Sequence, residues 1–281
     1  MFRLFTALVA AFVATLGTAH AQSDLVKRGD YLVNGILTCG NCHSPKGPQG
    51  DIPGKLFSGG LSWDEPPFKV TAPNITQDKQ TGIGTWSNTD IRRLLRKGVK
   101  PDGTPIATIM PTGFYDIITN RDMSAIVAYL RTLKPIKNKV ADPIYKMKQV
   151  RQIFPGAERP YKEAMFSDRI KHGFYLAAIG HCMECRTPMV KGRRDWGKDL
   201  GRGGFEFPGP WGVSVSRNIT QSKSKGIGAW TDAEIKRAIA MGVEKDGKHL
   251  KPPMGYSYYA KMTDADLNDI VAYLRTVPAK D

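Results

Sequence analysis

The chain has 281 residues, 41% hydrophobic and 24% charged, which suits one large or two small globular domains and excludes disorder as the dominant state. After residue 20 no apolar run approaches the ~20 residues a bilayer-spanning helix needs, so a polytopic membrane protein is excluded. Lys and Arg number 41 against 26 Asp and Glu, a formal charge of +15, and so basic a chain is expected to meet something acidic.

Residues 1–21 read as a secretory signal peptide. Arg3 supplies the positive start, Leu4–Leu16 is apolar apart from Thr6 and Thr15, and Ala19-His20-Ala21 is a small-residue cleavage site. Export implies an oxidising compartment, where cysteines stay unpaired only for a reason.

The remainder is two copies of one unit. Cys39 and Cys42 recur as Cys182 and Cys185, 143 positions later. Asn74-Ile75-Thr76 recurs as Asn218-Ile219-Thr220, Gly82-Ile83-Gly84-Thr85-Trp86 as Gly226-Ile227-Gly228-Ala229-Trp230, and Ile126–Thr132 as Ile270–Thr276, all at an offset of 144. A register held over so many positions is a tandem duplication. The expected division is 22–135 for the first unit, 136–167 for a linker rich in Pro and charge, and 168–281 for the second unit.

Within each unit the apolar spacing predicts helices. Asp24–Leu32 opens the first unit. Asp90–Val99 places Ile91, Leu94 and Leu95 on one face, and its copy is Asp232–Val243 with Thr231 as N-cap. The last helix is expected over 120–133, with Met123, Ile126, Val127, Leu130 and Leu133 forming one stripe. Thr119 and Asp122 make a cap-like start, as do Thr263 and Asp266 in the copy. No strand-like alternation of useful length appears, so the fold class is all-α with long Gly/Pro-rich loops. Such a unit has too little regular packing for its size unless something large fills its middle.

Cys39-Gly40-Asn41-Cys42-His43 is a C-x-x-C-H motif. Two thiols on one helical turn can form thioethers with the vinyl groups of a porphyrin, and the following His projects its imidazole towards the iron, which reads as attachment of haem c. A thioredoxin-like pair would need a βαβ context, and a zinc site would need four ligands in compact spacing. Met110, in a Pro-containing loop before the last helix, is the expected second axial ligand. Met254 is its repeat partner, whereas Met123 and Met262 are explained as core.

The motifs G-x-Y-L, C-x-x-C-H, S-G-G, N-I-T, G-I-G-x-W and I-V-A-Y-L-R-T together resemble the multihaem cytochrome c subunits of bacterial membrane-associated dehydrogenases for alcohols, aldehydes and gluconate. The resemblance covers nearly all of the chain after the signal segment. It implies two tandem cytochrome c domains and periplasmic electron transfer from a dehydrogenase towards quinone or a terminal oxidase. It carries over to Cys39, Cys42, His43 and Met110, and in the second unit to Cys182, Cys185 and Met254.

The second motif departs from the pattern. It reads Cys182-Met183-Glu184-Cys185-Arg186, with Arg186 where the first unit has His43. A guanidinium has no lone pair for iron. Three outcomes are open: a haem without its usual proximal ligand, a haem that borrows another imidazole, or no haem. His172, His181 and His249 read as ordinary partly exposed histidines. The expected function is therefore a non-catalytic electron carrier. A catalytic cytochrome using an open iron in the second unit on peroxide or an oxyanion is the alternative. Nucleic-acid binding rests on charge alone and is set aside. An anionic membrane surface remains a candidate contact for the positive charge. Trp86 and Trp230 are expected to pack against porphyrin or core, and Asn74 and Asn218 to bond loop backbone or haem propionates.

Overall fold

The computed structural model describes residues 22–48, 50–209 and 211–281; the signal-peptide reading falls outside them. The described part of the first helix, α1, covers 22–34. It is followed by α2 (Cys39–His43), α3 (Asn88–Lys97) and α4 (Asn120–Leu130). The second unit repeats this order as α5 (Arg169–Ile179), α6 (Cys182–Arg186), α7 (Asp232–Met241), the short α8 (Tyr256–Tyr259) and α9 (Asp264–Leu274). Helices begin where the sequence supplies caps. Ser87 and Thr231 head α3 and α7 with full capping boxes to Asp90 and Glu234, and Thr119 and Thr263 accept from Asp122 N and Asp266 N. α3 and α7 stop at Gly98 and Gly242, whose φ of 65° and 68° is the left-handed conformation that glycine adopts without strain.

The all-α expectation needs a correction, because small antiparallel hairpins occupy the long loops. In the first unit β1 (Lys46–Gly47) pairs with β2 (Gly50–Asp51), and β3 (Ser62–Glu65) pairs with β4 (Phe68–Thr71) from Ser62↔Thr71 to Glu65↔Phe68. β5 (Ile144–Tyr145) adds to the edge of β4. In the second unit β6 (Met189–Val190) pairs with β7 (Arg193–Arg194), and β8 (Glu206–Gly209) with β9 (Gly212–Val215). Strands of two to four residues are too short for period-two alternation to show in the sequence.

One helix crossing organises each unit. A Cβ on Gly29 would lie 2.0 Å from Ala125 O, so α1 meets the backbone of α4 with no side chain between them. Gly173 does the same for α5 against α9, where a Cβ would lie 1.8 Å from Asp269 O. The last helix is then tied to the G-I-G-x-W loop. Arg131 donates to Trp86 O and Gln77 Oε1, and Gln77 donates to Leu130 O at 2.9 Å. Arg275, Trp230 and Gln221 repeat this clamp, with Arg275 Nη2 2.6 Å from Trp230 O.

The two units share a core. Leu32, Ile36, Tyr175, Leu176 and Met183 belong to one contiguous apolar cluster with Ile126, Ile270 and Val271. Reciprocal polar bonds cross between the units as well. Tyr31 donates to Asp266 Oδ2 at 2.5 Å, and its repeat partner Tyr175 donates to Asp122 Oδ2 at 2.7 Å. Asp122 also takes a two-pronged bond from Arg28 at 2.8 and 2.9 Å. The segment expected to be a linker lies against the protein. Phe154 is buried and stacks on Phe114 of the first unit at 4.9 Å and on Phe174 of the second at 5.6 Å.

Gly29→Ala and Gly173→Ala must push these helix pairs apart, and each is expected to cost about 2 kcal/mol. Thermal unfolding of the two variants against the parent protein measures that loss.

Candidate functional site: two cysteine turns

Each cysteine turn hangs directly below the helix of the close crossing. In the first unit the chain leaves α1 and turns at Thr38, whose φ is 48°, before α2 carries Cys39, Cys42 and His43. The second unit does the same at His181, φ 43°, ahead of α6. Returning loops fix the turns. Gly59 N donates to His43 O at 2.9 Å and Leu61 N to Cys42 O at 2.9 Å, and Gly203 N donates to Arg186 O at 2.7 Å.

None of the four cysteines is in a disulfide. Burial pushes the Cys39 thiol up to about 12 and Cys42 to about 11, and pushes Cys182 to about 11 and Cys185 to about 12. These are protonated thiols, the opposite of the lowered values that mark disulfide chemistry.

His43 is buried at 7% exposure and its Nδ1 lies 2.8 Å from Pro73 O. A carbonyl only accepts, so Nδ1 carries the proton and the Nε2 lone pair is free. Burial lowers the His43 pKa, opposed by the bond to Pro73, which keeps the ring neutral. This is the state in which imidazole binds a metal, with its other nitrogen held by a carbonyl. The first turn therefore fits haem c: two adjacent thiols, and an imidazole fixed in one tautomer. Met110 is half-buried, packed against the core in the loop that precedes the short 3₁₀ turn Thr112–Phe114.

The second turn lines a cavity of about 300 Å³. Cys182, Cys185, Arg186 and Met254 face it, and Thr38 and Asn41 reach it from the first unit's cysteine turn. Arg186 takes the structural place of His43. Its Nη1 donates to Arg217 O at 3.3 Å, and Arg217 is the repeat position of Pro73. Its Nη2 lies 3.2 Å from Met254 Sδ. The cysteines, the cavity and Met254 fit the same cofactor; Arg186 does not fit as its ligand.

His181 is partly exposed, as its sequence reading has it, with 20% of its side chain accessible. It stands in the cavity wall, its Nδ1 3.5 Å from Glu184 Oε2 with no hydrogen-bond partner among the described residues. Burial lowers the His181 pKa to about 4 and raises that of Glu184 to about 7. His172 bonds Asp269 at 2.9 Å, and His249 is one of the residues lining the cavity.

The remaining recurrent residues are structural. Asn74 accepts from Thr76 N and Oγ1 and donates to Ile136 O at 2.7 Å; Asn218 accepts from Thr220 and donates to Lys280 O at 2.6 Å. Asn74 is buried. Trp86 and Trp230 pack on the core. Sequence reasoning missed the Tyr–Asp exchange, although Tyr31, Tyr175, Asp122 and Asp266 stand at the same 144-residue offset as the motifs it did use.

With this geometry in view, the comparisons are specific. The cytochrome c family profile matches twice, over residues 26–134 and 173–278, and the chain belongs to that family. It is 28% identical to a gluconate 2-dehydrogenase cytochrome c subunit of Pantoea cypripedii, over 95% of this chain and 63% of that protein. It is 28% identical to a fructose dehydrogenase cytochrome subunit of Gluconobacter japonicus, over 95% of this chain and 55% of that protein. A diheme cytochrome c-type protein of Cereibacter sphaeroides is 28% identical over 86% of this chain and 82% of its own length. The chain thus spans less than two thirds of the dehydrogenase subunits and most of the diheme protein. No described helix is long and apolar enough to cross a membrane.

His181 and Glu184 oppose each other in pH dependence. The folded chain keeps the Glu184 proton up to about pH 7, so this contribution to stability is lost as pH rises from 4.5 to 7. The folded chain refuses the His181 proton down to about pH 4, so that contribution is lost as pH falls from 6.5 to 4. Glu184→Gln is expected to leave stability rising with pH across the lower window, and His181→Asn to leave it falling across the upper one, each by at most about 1.4 kcal/mol per pH unit. Urea unfolding between pH 4.5 and 7.5 measures both slopes.

Proposed function

We propose that this protein is a periplasmic electron carrier with covalently attached haem c, serving as the cytochrome component of a dehydrogenase. The observation that carries the reading is the Nδ1–Pro73 bond, which leaves the Nε2 lone pair of His43 free beside two protonated thiols. When bound, haem supplies the one-electron chemistry; the chain's own residues attach it, hold it and set its surroundings. Cys39 and Cys42 would attach it in the first domain, where His43 and Met110 would bind its iron, and Cys182 and Cys185 would attach a second in the other domain, beside Met254. The domains are 22–135 and 168–281, joined by 136–167, after a signal peptide ending near Ala21.

A dehydrogenase partner is supported by the names of the relatives, two of which are cytochrome subunits of gluconate and fructose dehydrogenases. The electron acceptor is a terminal oxidase or another redox protein, and the charge of +15 favours an acidic docking face or an anionic membrane surface.

The test is a haem-stained gel and an alkaline pyridine spectrum of the exported protein, followed by mixing with a reduced dehydrogenase of the sugar- or alcohol-oxidising class. Covalent haem reduced on mixing supports the reading; a colourless protein ends it. Met110→His is expected to lower the midpoint potential of the first haem, because a thioether raises the potential relative to a second imidazole. Spectroelectrochemical titration reads that change.

A further inference from the structure

Arg186 has no ion-pair partner among the described residues, and Glu244, the carboxylate whose charge reaches it, is committed to Arg217. The Arg186 guanidinium offers five N–H donors, and the two acceptors it meets are weak ones: Arg217 O at 3.3 Å and the thioether sulphur of Met254 at 3.2 Å. Among the described residues no carboxylate lies within ion-pair distance of it, whereas its neighbour Arg217 is satisfied by Glu244 through two bonds of 2.9 and 3.0 Å. Among the described residues the wall of the cavity it faces contains no aspartate or glutamate, while Arg217, Lys251 and His249 line it. A half-buried guanidinium short of acceptors, in a cavity of one sign of charge, is a receptor for an anion.

The position of the group narrows the ligand. Arg186 grips the carbonyl of residue 217, as His43 grips the carbonyl of residue 73, and it touches Met254, the repeat partner of Met110. It therefore sits where the first unit presents its ligating nitrogen, not at the cavity rim. The anion must be small, because the open space beside Arg186 is about 300 Å³ and the cofactor would share it.

We propose that Arg186 makes the second crevice a binding site for a small monovalent anion, of the size of azide, fluoride or formate, held by the guanidinium where the first unit presents an imidazole. The proposal rests on the reading that Cys182 and Cys185 attach haem. No covalent change is involved: the anion exchanges reversibly, and the Arg186 fork donates to it in place of the carbonyl and the sulphur.

The experiment uses the exported, oxidised holoprotein, titrated with sodium azide and with sodium fluoride at constant ionic strength, with haems per chain counted on every variant. The parent protein is expected to carry two haems and to show a saturable Soret shift from one of them. Arg186→Gln should raise the dissociation constant at least tenfold. Arg186→Lys, which keeps the charge but loses the fork, should raise it several-fold. Arg186→His should abolish the shift by supplying a ligand. Two haems with no anion response, or an Arg186→Gln protein that binds as tightly as the parent, overturns the proposal while leaving the two-haem reading intact. A count of one haem per chain overturns the two-haem reading itself, and the proposal with it.

Discussion

Everything in this protein is hung from two places where a helix backbone lies directly on another. At Gly29 and at Gly173 the missing Cβ lets the opening helix of each unit touch the main chain of the closing helix. The cysteine turn follows that opening helix within a few residues, and the arginine clamp on the G-I-G-x-W loop hangs from the closing one. The position of the thiols is therefore inherited from the crossing. A site built on rigid elements holds its geometry better than one carried by loops alone, and here the long loops are themselves pinned, by Gly59 and Leu61 in the first unit and Gly203 in the second.

The sequence made much of this legible because the repeat doubled each signal. The Thr119, Thr231 and Thr263 caps and the C-x-x-C turns appear in the structure where the sequence puts them, whereas α3 starts two residues ahead of the expected Asp90, behind a Ser87 cap the sequence reading did not use. The helix ends ran short of expectation: α4 stops at Leu130 and not at Leu133, because residues 131–133 tighten into a turn. The hairpins were illegible, since Ser62–Glu65 and Phe68–Thr71 carry only four residues each and gain their definition from pairing with each other. The role of Pro73 was illegible for another reason. What matters there is a backbone carbonyl, and no residue type announces one.

The contrast between the two turns is the main chemical result. They share dihedral angles, burial, protonated thiols and a carbonyl acceptor at the same repeat position, yet one presents an imidazole and the other a guanidinium. One exchange of side chain converts a lone pair into a set of donors. The scaffold tolerates it because the carbonyl of Arg217 accepts from either kind of group. Thr38 and Asn41 from the first cysteine turn also line the second cavity, so the second unit does not enclose its site unaided.

The tyrosine–aspartate exchange has a consequence for how such a chain can arise. Each unit contains both partners, Tyr31 with Asp122 and Tyr175 with Asp266, yet each tyrosine bonds the aspartate of the other unit. A single unit of this kind is self-complementary: two free copies facing one another across a two-fold axis make the same pair of bonds. The tandem chain joins the two copies covalently, so position 186 can differ from position 43 while both cross-unit bonds are kept.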